Sequence, residues 1–259
     1  MHGSLTYGVI LAAICLLPDA YAADASSTGR AHFIPDCAGT VAIAHARIVR
    51  VNYDGALILA DGRSLRLEGI RLPLADKSGR AFAALRAMAL ADPVNLTIVP
   101  PEKDRYGRMR VQAFARQWFQ VALLEQGLAQ VQISPDRSEC APDLYEAETA
   151  ARARHAGIWA LSAYAVRAPQ ALKGATGTFR LVEGQVSSIG RADGRTFIDF
   201  GDRRSFTAMI GAESRRAFRD FDFDELSGRR IRVRGIVQDY RGRPEIVLSN
   251  PAQIEFLDN

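Results

Sequence analysis

Leu65-Arg66-Leu67-Glu68-Gly69-Ile70-Arg71-Leu72-Pro73-Leu74 is the stretch on which the fold turns. From Ser64 to Ile70 it alternates as a half-buried strand does, with the leucines on one face and Arg66 and Glu68 on the other. Two more strands are expected before it, His45 to Val51 and Ala56 to Leu59. Asp54-Gly55 and Asp61-Gly62 fall between the three, and Asp-Gly is a strong hairpin signal. The result is a β-meander.

Beyond Leu74 the period changes. Ser78 is placed to cap a helix with Phe82, Leu85 and Met88 at helical spacing, ending near Asp92-Pro93. Strands are expected at Val94 to Val99 and Met109 to Ala115, a helix at Phe119 to Gly127, and another from Pro142 to Gly157. Between Leu161 and Gly177 the pattern dissolves into Ala, Pro, Ser and Gly, the composition of a linker. Strands then recur at Arg180 to Ile189, Thr196 to Phe200, Ser205 to Ile210, Arg230 to Gln238 and Pro244 to Leu248, with a short helix at Glu213 to Phe221. Three strands, a helix and two strands is the order of an OB-fold. The expected class is therefore mainly β with α, an α+β chain of two OB-type five-stranded barrels, the first carrying extra helices.

Four segments in order resemble the staphylococcal nuclease (thermonuclease) family. They are Leu65 to Leu74, Asp104-Arg105-Tyr106-Gly107-Arg108, Leu123 to Val131, and Glu148 through Ala156-Gly157-Ile158-Trp159. The C-terminal part is similar to OB-type nucleic-acid-binding domains at Ser227 to Gly235 and Gly242 to Ile246. The resemblance implies hydrolysis of DNA and RNA with one calcium ion held by carboxylates, a glutamate that activates water, and two arginines on the phosphoryl oxygens. Calcium needs such oxygen ligands, and the transition state needs such cations. Here the pattern departs. Gly55 stands where the family's turn supplies a metal aspartate, Arg71 where it has a second, and Leu74 where it has the glutamate. Arg66 and Arg108 are retained.

Among the neighbouring acids, Asp54 reads as a turn residue, Glu68 is three residues short of Arg71, and Asp76 lies two past Leu74. A one-residue slip in a strand reverses the face, so these do not replace what is missing. An added cation where the ion would sit also repels it. The expectation is a cleft that needs no metal or other cofactor and does not hydrolyse, with Arg66, Arg71, Arg105, Tyr106 and Arg108 meeting an anion such as nucleic acid or another polyanion. Arg229 to Arg234 is a second candidate, although Asp220, Asp222, Asp224 and Glu225 nearby suit a solvated face equally. Phe197, Phe200 and Phe206 offer either stacking surfaces or core. Two other readings stay open: an active calcium-dependent phosphodiesterase with altered ligands, and an envelope module that binds a protein partner.

Residues 1–22 read as an export signal, with an apolar run from Val9 to Leu17 and a small-x-small site at Ala20-Tyr21-Ala22. That run is too short to span a bilayer, so no membrane span remains after cleavage. A periplasmic or secreted location follows. Two cysteines then remain, Cys37 and Cys140, and an even count in an exported chain suggests a disulfide, two free thiols being the alternative. His32, His45 and His155 have no ligand spacing, which argues against zinc. The expected layout is a signal at 1–22, a tether at 23–39, the nuclease-like domain at 40–160, a linker at 161–177 and the OB domain at 178–259. The composition, 48% hydrophobic with a net charge of +4, permits two such cores and a polyanionic partner.

Overall fold

The computed structural model describes residues 1–3, 34–73, 78–201 and 205–257. The chain divides into two units, Met1–Ala31 and His32–Asn259, and both large sheets and all three helices of the described residues belong to the second. Most of the segments read as an export signal and a tether, together with Leu74 and Asp76, lie outside the described residues.

The meander is present, with one break. The strand expected over His45 to Val51 is two, β1 (Ile43–Ala46) and β2 (Ile48–Val51). The backbone turns at His45, whose φ is +50° and whose amide donates to Asn95 Oδ1 at 3.0 Å. The break lets one stretch of chain serve two edges, as a bulge does. β3 (Leu57–Leu59) and β4 (Ser64–Leu67) follow, and β5 (Ile70–Arg71) leaves the sheet. Next come α1 (Arg80–Ala91), β6 (Val94–Lys103), β7 (Met109–Phe114), α2 (Phe119–Glu125), β8 (Gln130–Val131) and α3 (Ala141–Ala153). The first sheet runs β1-β6-β7-β4-β3-β2, and β5 pairs separately with β8. β7 lies inside the sheet and all six of its residues are buried. Gly69 sits at the departure of β5 with φ +84°, where a Cβ would come 2.5 Å from Leu144 Cδ1 of α3. Glycine is required at that close approach.

Pro142 lies in the first turn of α3, as expected. Just before it, Cys140 is bonded to Cys37, the Cα atoms 5.1 Å apart. The bridge ties the 3-10 turn Asp36–Ala38 to the start of α3.

The stretch expected as a linker, 161–177, holds two 3-10 turns (Ser162–Tyr164, Pro169–Ala171), preceded by a third at Gly157–Ala160, and leads into the second sheet. Arg167 N donates to Leu181 O, and Glu183 N donates to Arg167 O. Leu172 and Ala175 are buried in the second core. That core is enclosed by β9 (Phe179–Ala192), β10 (Arg195–Phe200), β11 (Phe206–Ile210), β12 (Arg230–Tyr240), β13 (Arg243–Leu248) and β14 (Ile254–Phe256). The order is β13-β11-β10-β9-β12-β14, and β12 also pairs with β13, which closes the ring. The two large sheets each count six strands where five were expected. In the first the extra strand comes from the break at His45, and in the second it is β14, added to β12.

The helix expected over Glu213 to Phe221 does not form. A 3-10 turn at Ala212–Ser214 and another at Asp224–Leu226 stand in that crossover. Phe218, Phe221 and Phe223 cluster instead, with ring centroids 5.1 to 6.0 Å apart. Residues i, i+3 and i+5 do not share a helical face, so packing of the rings overrides the period.

The arginines of β12 are used within the fold. Arg234, 1% exposed, bonds Glu148 Oε2 of α3 at 2.9 Å, Glu255 Oε1 of β14 at 2.6 Å and Val131 O at 3.1 Å. Arg232 pairs with Glu183 and Glu255, and Arg230 with Glu183. Neither reading of this strand, polyanion surface or solvated face, included these ion pairs with carboxylates of the fold. Phe200 and Phe206 are fully buried, which places them in the core.

Candidate anion-binding cleft

A cleft of about 1250 Å³ opens over β4, β5 and two turns, one between β2 and β3 and one between β6 and β7. Arg66, Arg71, Arg105, Tyr106 and Arg108 all line it. The fold thus brings together the five residues singled out in the sequence, and it does so by different means for each.

Asp104 builds the β6–β7 turn. Its Oδ1 accepts from the amides of Tyr106 (2.8 Å) and Arg108 (3.0 Å), while Gly107 supplies the positive φ of +77°. Its Oδ2 accepts from Arg108 Nε at 2.8 Å. Burial works against the Asp104 charge, but the bonds from the Arg108 side chain and from the two amides prevail and hold its carboxyl below the ordinary range. Arg108 also reaches across to Asp54 Oδ2 at 2.9 Å. At the turn's tip Tyr106 is 67% exposed, with the guanidinium carbons of Arg105 and Arg108 at 4.8 and 5.2 Å from its ring centre.

Arg66 projects from β4, part-exposed, and among the described residues no carboxylate pairs with it. Arg71 on β5 is half-buried. Its guanidinium lies 4.5 Å from the Phe179 ring centre, burial lowers its pKa, and its Nε is enclosed without a hydrogen-bond partner. Two carboxylates, Asp54 and Asp104, compensate Arg108, whereas Arg66 and Arg71 are uncompensated among the described residues.

Along the cleft floor lies a network that sequence reasoning missed. Arg110, 4% exposed, donates to Glu68 Oε2 at 2.9 Å and to both oxygens of Asp136 at 2.9 and 3.2 Å. Ser134 donates to the other Glu68 oxygen. Burial alone would lower the pKa of Arg110, but its bonds to Glu68 and Asp136 outweigh that and raise it. Glu68 is therefore committed to Arg110 and does not face the cleft as a spare acid. The available signal was Arg110 itself, a charge inside the apolar run of β7 that required a buried partner.

These residues do not fit calcium. The ion takes six to eight oxygens, yet the Asp54, Asp104 and Asp136 carboxylates are each bound to an arginine. Asp54 Oδ1 is further held by Ala56 N at 3.1 Å, so the turn reading of this residue is correct but incomplete. Gly55 contributes no side chain, and its φ is +82°. Among the described residues no group of three or more His, Cys, Asp or Glu is placed to hold a metal.

The two large sheets and three helices make this a mainly β chain with α, and the cleft lies on the first sheet. Residues 64–161, from the first residue of β4 to just past the turn Gly157–Ala160, match the family described as Staphylococcal nuclease homologue. The chain carries a staphylococcal nuclease-like domain. No curated protein matches the chain.

Proposed function

We propose that the nuclease-like cleft binds phosphate-bearing anions, nucleic acid or another polyanion, without metal and without cutting them. One observation carries the reading: the acids along the cleft are each tied to an arginine, while Arg66 and Arg71 have no carboxylate among the described residues. A partly desolvated guanidinium with no carboxylate beside it favours an anion that can take its planar donors two at a time. Tyr106 and Arg105 at the rim supply a stacking face and a further cation. Phosphodiester hydrolysis in this family pattern relies on the metal and on a general base, and losing the base alone removes about 10²–10⁴ in rate.

Each curled sheet is read as an OB-type five-stranded barrel, the first counting β1 and β2 as one strand, over residues 40–160 and 178–259. An exported location, periplasmic or secreted, agrees with the Cys37–Cys140 bridge. Among the described residues no helix is long and apolar enough to cross a membrane. The functional test is binding of a nucleoside monophosphate with calcium chelated, together with a nuclease assay with and without calcium. Arg71→Gln and Arg66→Gln should each weaken binding about tenfold or more, the scale of one charge-assisted hydrogen bond.

A further inference from the structure

A second cleft, of about 890 Å³, lies at the β9–β10 hairpin and the crossover from β11 to β12. Arg191, Arg195, Arg215, Arg216 and Arg219 line it against two acids, Asp193 and Glu213. All five arginines are exposed, and among the described residues none of them forms an ion pair. This is the opposite of β12, where Arg230, Arg232 and Arg234 are matched to carboxylates. The acids of the second cleft do not quench it. Asp193 sits in the two-residue turn of the hairpin, with φ +50° followed by Gly194 at +72°. The Glu213 carboxylate folds over Gly211, filling the space that a Cβ there would need. Asp220, Asp222, Asp224 and Glu225 belong to the same crossover but do not line the cleft.

The aromatic content narrows the ligand. Phe223 is half-exposed in the cleft, with the Arg191 guanidinium 5.7 Å from its ring centre. Buried Phe218 stacks behind it at 6.0 Å, with an interplanar angle of 25°, and holds the ring in place. The hairpin turn fixes Arg191 opposite Thr196 and Ala192 opposite Arg195, and Arg215 Nη1 lies 3.6 Å from the Cβ position at Gly194. Cations around a supported aromatic face suit a chain whose charged backbone alternates with flat bases. A plain polyphosphate would use the arginines and leave the ring idle.

From this juxtaposition we infer that the second cleft is a single-stranded nucleic-acid-binding site, with phosphates on Arg191, Arg215, Arg216 and Arg219 and a base on Phe223. The inference does not depend on the reading of the first cleft. The test is fluorescence anisotropy of a labelled oligothymidylate with the full chain, in chelator, over a series of salt concentrations. Replacing the four arginines together (R191Q/R215Q/R216Q/R219Q) should lower affinity at least tenfold and reduce the log–log salt slope by about 3, at about 0.7 per lost single-strand phosphate contact. F223L should lose about fivefold or more on oligothymidylate, F223Y should restore it, and inorganic polyphosphate binding should be the same in all three. R66Q/R71Q, confined to the first cleft, should leave the quadruple variant's loss of affinity and slope intact. A quadruple variant that binds as the parent does would overturn the site. Equal oligothymidylate binding by F223L and the parent, or a parallel loss of polyphosphate binding that F223Y does not reverse, would overturn the base-stacking assignment.

Discussion

Gly55 shows how firmly this cleft is set against the metal pattern it resembles. Its φ of +82° suits glycine, and a Cβ there would meet Leu72 Cδ1 at 2.6 Å. Gly55→Asp should therefore cost about 1–3 kcal/mol, the usual strain of a side chain in that region, measured by urea unfolding. Leu72→Ala in the same chain should return part of it. Asp104 gives a pH prediction. Its folded carboxyl is held below the ordinary value of 3.8, so its contribution is complete above the unfolded pKa and disappears as pH falls through the lower folded one. Asp104→Asn should lower stability at neutral pH and flatten the acid limb below about pH 4. Arg66, Arg71, Arg105, Tyr106 and Arg108 could be singled out because the segments that carry the family resemblance, Leu65 to Leu74 and Asp104 to Arg108, are contiguous in sequence. Their ion pairs were not, because Asp54 is 54 residues from Arg108 in sequence and only the meander brings them within 2.9 Å.

At the scale of elements, the strands and helices with clear periods formed within a few residues of expectation, α3 and β7 among them. Failures came where tertiary packing decides. The three phenylalanines of the crossover replaced a helix with turns, and β14 is too short to carry a period and exists because β12 offers an edge. The disulfide belongs at this scale too, since it pins the entry of α3. It spans 103 residues, and the chain-entropy model assigns such a loop about 4–5 kcal/mol. Cys37→Ser with Cys140→Ser should lower the denaturation midpoint accordingly. Alkylation of the unreduced, unfolded chain should label neither cysteine, as intact mass reads directly.

Across the whole molecule, Arg234 joins α3, β8 and β14 to β12 in one buried cluster, with the Tyr145 ring centre 4.3 Å from its guanidinium carbon. Glu148→Ala should destabilise the chain by about 3–5 kcal/mol, because it removes the fully buried partner of a buried charge. Exchanging both residues, Glu148→Leu with Arg234→Met, should cost much less, and thermal or urea unfolding separates the two outcomes. No local pattern in the sequence announces this cluster. Glu148 reads as one acid in an amphipathic helix and Arg234 as one of several arginines in a strand, and only the packing of α3 against the second sheet pairs them. The start of β9 likewise gives Arg71 of β5 its stacking partner Phe179, and so shapes the proposed anion site.

The central claim, a cleft that holds phosphate without metal, is tested most directly by calorimetric titration of the calcium-stripped chain with a nucleoside monophosphate, for the parent and for Arg71→Gln. The account predicts binding in excess chelator that Arg71→Gln weakens about tenfold or more, with no change when calcium is added back. Binding that appears only with calcium, or that is indifferent to Arg71, would contradict it.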